Sequence, residues 1–199
     1  MIDPEAFLQR HPVREEMSGD VPTSSTSEMT PRNNAEGSDS SVESDQETDR
    51  CMKSALRSLD AAGASVEGLR KRLASKGFEE EAIDKVIVIL QRMQLLDDEA
   101  FARGILSKCL RKMMGASAVR RELTSKGIEH SLAAHVVREA EDRGDFEESA
   151  HRFVESMARK TRGMEYAKRM RRLASAAQRK GQPTSSVLEY ARTLMREEQ

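Results

Sequence analysis

Asp97 and Asp98, adjacent in LLDDEAFA (Leu95 to Ala102), are the first residues that invite acid–base or metal chemistry. Neighbours on a helix point about 100° apart, and no third carboxylate or histidine stands at helical spacing to complete a site. The pair suits helix initiation instead, with Asp97 as N-cap and with Asp98 and Glu99 beside the positive end of the dipole. His11, His130, His135 and His151 form no HExxH or similar pairing, and there is no GxxxxGK[ST], GxGxxG or GxSxG turn. Cys51 and Cys109 lie 58 residues apart with no partner at metal-ligand spacing, which reads as two packed, reduced thiols. The expectation is a protein without a reaction centre, metal or cofactor, and hence not an enzyme.

The basic residues carry more information. Residues 151–196 hold 12 Lys and Arg against 3 acidic side chains, a charge of +9. At about 100° per residue, Lys168, Arg172 and Arg179 fall within about 40° of one another. Arg169 and Arg171 flank that stripe, Lys180 follows it, and Tyr166, Met170, Leu173 and Ala177 take the other face. Such segregation directs guanidinium groups outward over an apolar floor. Arg70, Lys71 and Arg72 form a smaller cluster. These nine cations are the candidate contacts for a polyanion; the competing reading is a solvated face. Six phosphate contacts would give a slope of log K against log salt of about −5. With 4% aromatic residues and no Trp, base stacking is not the expected mode.

The elements around these cations differ along the chain. Residues 1–50 hold 12 acidic and 4 basic side chains, a charge of −8, and the rest carries +7. From about 18 to 50, Ser, Thr, Asp, Glu and Asn dominate, as in GSDSSVESDQETD (Gly37 to Asp49). So little apolar surface does not offset an ordering cost of roughly 1–2 kcal/mol per residue. The expectation is a disordered acidic arm over 1–50, which either solubilises or folds back to compete for the basic face. The start lacks the features of a secretory signal, and the aliphatic run Val86 to Leu90 is too short to span a bilayer, so a cytoplasmic protein is expected.

Beyond residue 50 the periodicity is helical, and it repeats. Leu73 to Leu90 matches Leu123 to Ala140 at an offset of 50. Met52, Ala55 and Leu56 map onto Ala102, Ile105 and Leu106; Leu69 and Leu73 onto Val119 and Leu123; Val86 and Ile87 onto Val136 and Val137. A third copy continues the first-helix set at an offset of 48 (Ala150, Phe153, Val154) and the other sets at 54 (Leu173, Ala177, then Val187, Tyr190, Ala191). The difference places a six-residue insertion around Thr161 to Glu165. Lys76-Gly77, Lys126-Gly127 and Lys180-Gly181 end each second helix, where glycine accepts a left-handed turn and lysine suits the dipole. The predicted fold is all-α, with three tandem three-helix repeats over 51–96, 97–146 and 147–199.

LDDEAFA (Leu96 to Ala102) followed by GASAVRRELTSKGI (Gly115 to Ile128) resembles the RecX family, modulators of the RecA recombinase. The matching residues are Leu96, Asp97, Asp98, Phe101 and Ala102, then Gly115, Val119, Glu122, Leu123, Lys126, Gly127 and Ile128. LASKGF (Leu73 to Phe78) matches the equivalent turn one repeat earlier, and the likeness covers roughly residues 51–196. The chain departs from the pattern at Ala61 to Ser65, where the family carries R-x-R-S, and at Gln182-Pro183, where it carries an aromatic. The acidic arm lies outside the pattern.

The resemblance implies an elongated, curved stack of three-helix modules that engages the RecA filament, and single-stranded DNA through it. It also implies suppression of ATP hydrolysis and strand exchange, which tempers recombination and the SOS response. A stand-alone DNA-binding protein and a protein scaffold with a basic face are the alternatives. No membrane partner is expected, and a monomer is favoured.

Overall fold

The computed structural model describes residues 38–196, with side chains from 44 to 195. Every regular element among them is an α-helix: α1 (Ser38–Ala61), α2 (Val66–Ala74), α3 (Glu80–Arg92), α4 (Asp98–Arg111), α5 (Ala116–Ser125), α6 (His130–Asp142), α7 (Asp145–Lys160), α8 (Tyr166–Lys180) and α9 (Thr184–Arg196). The chain divides into two compact units. Among the described residues, one takes 38–63 and 69–96, the other 64–68 and 97–196.

In the first unit α1 packs along α3. Met52, Ala55 and Leu56 from α1, Leu69 and Leu73 from α2, and Val86 and Leu90 from α3 are fully buried. Each large aliphatic among them contributes about 1.5–3 kcal/mol through burial. The boundary expected at residue 50 lies inside α1, since residues 38–50 are helical. Thr48 is buried, its hydroxyl donates to the Ser44 carbonyl at 2.9 Å, and the Glu47 carboxylate accepts from Glu79 N at 3.1 Å. Tertiary contacts thus extend the helix back into a stretch whose average composition is polar. The arm before residue 38, His11 included, lies outside the described residues.

In the second unit α4, α5 and α6 enclose a core of Ile105, Leu106, Val119, Leu123, Val136 and Val137. A further core forms among α7, α8 and α9 from Phe153, Val154, Leu173, Ala177, Val187 and Met195. Helix α7 also packs on α4 and α6, and Phe146 at its start enters their core.

The six-residue insertion is mostly helix rather than loop. In the register of the repeats, α8 starts four residues earlier than α5 and α7 ends one residue later than α4. One residue remains for the connection. The added turn outruns the local core, which leaves Tyr166 38% exposed instead of buried with Leu173.

Two joints with a shared plan tie the second unit together. In the first, Ser65 Oγ donates to the Lys126 carbonyl at 2.7 Å and accepts from Gly68 N at 3.0 Å. A Lys-Gly turn thereby docks on the start of a second helix from the preceding repeat. The second joint repeats this one repeat later. Gly115 N donates to the Lys180 carbonyl at 2.9 Å, and Ser117 Oγ to the Gly181 carbonyl at 3.0 Å. Gln182 Nε2 donates to the Met113 carbonyl at 3.0 Å. Ser65 and Gln182 both belong to the segments where the chain departs from the RecX pattern, and both are buried. Gly127 and Gly181 hold φ of +82° and +66°, the left-handed conformation expected of helix-terminating glycines.

Asp97 and Asp98 do structural work here. Asp97 Oδ1 accepts from Glu99 N at 2.8 Å and Ala100 N at 3.0 Å, the predicted N-cap. Asp98 turns away from its own helix and accepts from Val66 N at 2.7 Å, capping the start of α2. Burial raises the Asp98 pKa above the ordinary carboxylate value, the Val66 N–H opposes the rise, and the Asp97 charge adds to it. The folded chain therefore keeps this proton to a higher pH than the unfolded chain does. The resulting contribution is largest in acid and is lost as pH climbs through the folded value. Asp98→Asn keeps an oxygen for Val66 without the charge and is expected to hold or slightly raise stability at pH 7. Asp98→Ala leaves Val66 N unsatisfied and is expected to cost about 1–3 kcal/mol. Urea titrations at pH 7 and in mild acid check both; equal losses in the two variants would refute the account.

Candidate polyanion-binding face

Helix α8 is fixed by Leu173 and Ala177, both fully buried, by half-buried Met170, and by Gly181 at its end. That anchoring sets the direction of its cations. Arg171, Arg172 and Arg179 are exposed and, with Met157, Ser175 and Ala176, line a cleft of about 400 Å³. Arg171 Nε donates to the Ala167 carbonyl at 3.3 Å, one turn back, and an Arg172 Nη contacts Met164 Sδ at 3.4 Å. These contacts engage one nitrogen of each fork in an exposed bond, and several donors remain to meet an anion. Three guanidinium groups around an apolar floor suit bidentate recognition of phosphate or carboxylate. Lys168 shares the exposed side, 3.6 Å from Glu165, in a pair where both side chains are more than 60% exposed. Such a pair contributes little and leaves the ammonium available to a stronger partner.

Two of the predicted contacts have other roles. Arg169 is only 8% exposed, so its outward placement is corrected. Its Nε donates to Thr161 Oγ1 at 3.3 Å and an Nη to the Ala158 carbonyl at 3.2 Å. The guanidinium closes the C-terminal end of α7, where carbonyls lack helical partners and the dipole is negative. The spacing explains this: Arg169 stands i−4 from Leu173 and i−8 from Ala177, on the core side of the helix. Lys180 is half-buried, and its Nζ donates to the Lys112 carbonyl at the end of α4. It belongs to the second joint.

The cluster in the first unit is largely engaged. Arg70 pairs with Asp84 at 2.5 Å, and Arg72 Nη1 donates to the Ala62 carbonyl at 3.1 Å, just past the end of α1. Lys71 is exposed. The structure therefore gathers Arg171, Arg172 and Arg179 around one cleft, adds Lys168 on the same helix, and assigns Arg169 and Lys180 to the scaffold. Cys51 and Cys109 are buried, with burial as the first cause of thiol pKa values raised to about 11 for Cys51 and upward for Cys109. Among the described residues no His, Cys, Asp or Glu side chains gather as a metal site, and no helix is long and apolar enough to cross a membrane.

The sequence reading missed a second cleft, between α7 and α9, lined by Phe146, Val187 and Tyr190 among others. Those residues sit on helix faces whose periodicity assigns them to the core. Phe146 and Val187 are buried and Tyr190 is half-buried, so periodicity gives no sign of the cleft beside them; the signal lies in a comparison with the equivalent positions of the preceding repeat.

No family model matches the chain. Curated relatives do. Regulatory protein RecX of Streptomyces coelicolor is 31% identical over 144 residues, 72% of this chain and 76% of its own length. Regulatory protein RecX of Corynebacterium efficiens is 27% identical over 175 residues, 83% of each chain. Among solved structures, RecX from Lactobacillus salivarius superposes with a TM-score of 0.65 at 16% identity, covering 74% of this chain and 98% of that one. A second crystal structure of regulatory protein RecX gives 0.67 at 18% identity, covering 95% of this chain and 87% of that one. The structures agree in fold and the relatives in sequence over most of their length: the chain belongs to the RecX family of regulatory proteins.

Proposed function

We propose that this protein regulates the RecA recombinase by binding its filament on single-stranded DNA, in the cytoplasm, without catalysing a reaction itself. Bound there, it restrains ATP hydrolysis and strand exchange, and so tempers recombinational repair and the SOS response. The observation that carries this reading is the arginine-lined cleft on α8. Its three guanidinium groups are held by a well-packed helix and offer a polyanion several donors in fixed positions. Lys168 widens the charged surface, whereas Arg169 and Lys180 support it from within. The reading is tested by RecA ATP hydrolysis on single-stranded DNA, titrated with this protein. Inhibition well below one protein per recombinase is expected. Full hydrolysis up to equimolar, with the protein shown to be folded, would overturn it.

The same cleft favours a second reading, direct binding of nucleic acid, because guanidinium groups meet phosphates whatever else holds the strand. High affinity for free DNA with a steep salt dependence, and no effect of recombinase, would support that alternative.

A further inference from the structure

The cleft between α7 and α9 has a volume of about 540 Å³ and shares no lining residue with the arginine cleft. Phe146, Ala150, Val154, Pro183, Val187 and Tyr190 supply its apolar lining. Glu147 and His151 on α7, and Ser186, Glu189 and Thr193 on α9, supply the polar part, with the His151 ring 4.2 Å from that of Tyr190.

The preceding repeat shows what is missing. The offsets of 48 and 54 equate Glu99 with Glu147, Arg103 with His151, His135 with Glu189 and Glu139 with Thr193. In the preceding repeat Arg103 reaches Glu99 at 2.6 Å and Glu139 at 3.2 Å, and His135 Nε2 lies 3.4 Å from Glu139. That network bridges α4 and α6. In the last repeat an imidazole replaces the bridging arginine and a threonine replaces the carboxylate across from it. Glu147 and Glu189 are both exposed, and neither meets a basic side chain among the described residues. The bridge is absent and the groove beneath is open.

We propose that this groove docks a segment of the recombinase that inserts apolar side chains between α7 and α9 and sets an arginine or lysine between Glu147 and Glu189. That cation would replace the one Arg103 supplies a repeat earlier, and an apolar anchor beside an arginine is a common arrangement for a binding hot spot. The carboxylates select against nucleic acid, which the arginine cleft takes instead. The protein would then hold the filament at two chemically distinct places. The identity of the partner rests on the function proposed above.

The test uses the full chain and RecA filaments on single-stranded DNA. Two variants probe the groove in different ways: Glu147→Gln with Glu189→Gln removes the charges, and Ser186→Trp obstructs the cleft from an exposed position. Each is expected to weaken filament binding by about ten-fold, the size of one lost anchor contact, and to leave affinity for free single-stranded DNA unchanged. Circular dichroism checks that both fold. A benzophenone side chain at position 186 is expected to crosslink to a recombinase segment in which an apolar residue adjoins Lys or Arg. Wild-type binding with undiminished binding by both variants would overturn the groove assignment alone. Failure of the wild type to bind filaments would overturn the functional reading and the groove's partner together. A crosslink to residues 1–37 of this chain, or to a second copy, would overturn the choice of occupant.

Discussion

Gly115→Ala is expected to cost about 3 kcal/mol or more, although it adds only one methyl group at φ −87°, where alanine is unstrained. The added Cβ would lie 2.1 Å from the Gly181 carbonyl oxygen, 2.6 Å from its carbon and 2.7 Å from Gln182 Cα. All three are backbone atoms, so no rotamer change relieves the clash. The strands of chain cannot part freely either, because Gly115 N donates to the Lys180 carbonyl and Gln182 and Ser117 bond across the same joint. From the other side, a Cβ on Gly181 would meet Ala118 N and Cβ at 2.6 Å, at a φ of +66° that side chains rarely adopt. Gly104→Ala provides the contrast within the same unit. Gly104 is in the interior of α4 with nothing within 4 Å of its added Cβ, so alanine there is expected to gain about 0.5–1 kcal/mol through helix propensity. Urea unfolding of the two variants decides the matter. A Gly115 variant as stable as the Gly104 variant would show that the joint does not hold the last two repeats together.

That joint marks the limit of what periodicity reveals. The helix faces were legible because burial imposes a 3.6-residue period: Leu56, Leu73, Val86, Leu106, Leu123, Val136, Val154, Leu173 and Val187 are buried where the repeat places them. The Lys-Gly turns were legible because few residues tolerate a left-handed helix end. Contacts between repeats leave weaker traces. Ser65, Gly115 and Gln182 act through one hydroxyl, one missing side chain and one amide, and none of these has a period. The start of α1 was obscured for a related reason, since the burial of Thr48 and the Glu47–Glu79 contact depend on α3 and the turn before it. On the proposed binding face, net charge pointed to α8, yet the angular position of Arg169 against Leu173 carries more information than its charge. An arginine on the core side of a helix needs oxygen acceptors, and the end of α7 supplies the Ala158 carbonyl and the Thr161 hydroxyl.

The same distinction separates two substitutions that sequence alone treats as alike. Arg171→Glu combined with Arg172→Glu reverses two exposed charges on the cleft and is expected to reduce filament affinity by about 100-fold near physiological salt. It should also flatten the salt dependence by about 1.4–1.8 in slope, because each lost phosphate contact removes about 0.7–0.9. Neither arginine has a buried hydrogen bond, so helical content and the unfolding midpoint should change little. Arg169→Ala should do the opposite. It leaves the Ala158 carbonyl and Thr161 without their cationic partner and is expected to cost about 2–3 kcal/mol of stability, with nearly normal binding wherever the protein remains folded. Measuring affinity at two salt concentrations beside thermal unfolding places each variant on two axes. If Arg169→Ala abolished binding in folded protein while the double reversal left it intact, the contact surface would have to lie on a different face from the α8 cleft. If the two variants move along separate axes as expected, the charge on this helix divides between arginines that meet the ligand and one that keeps the helix in place to present them.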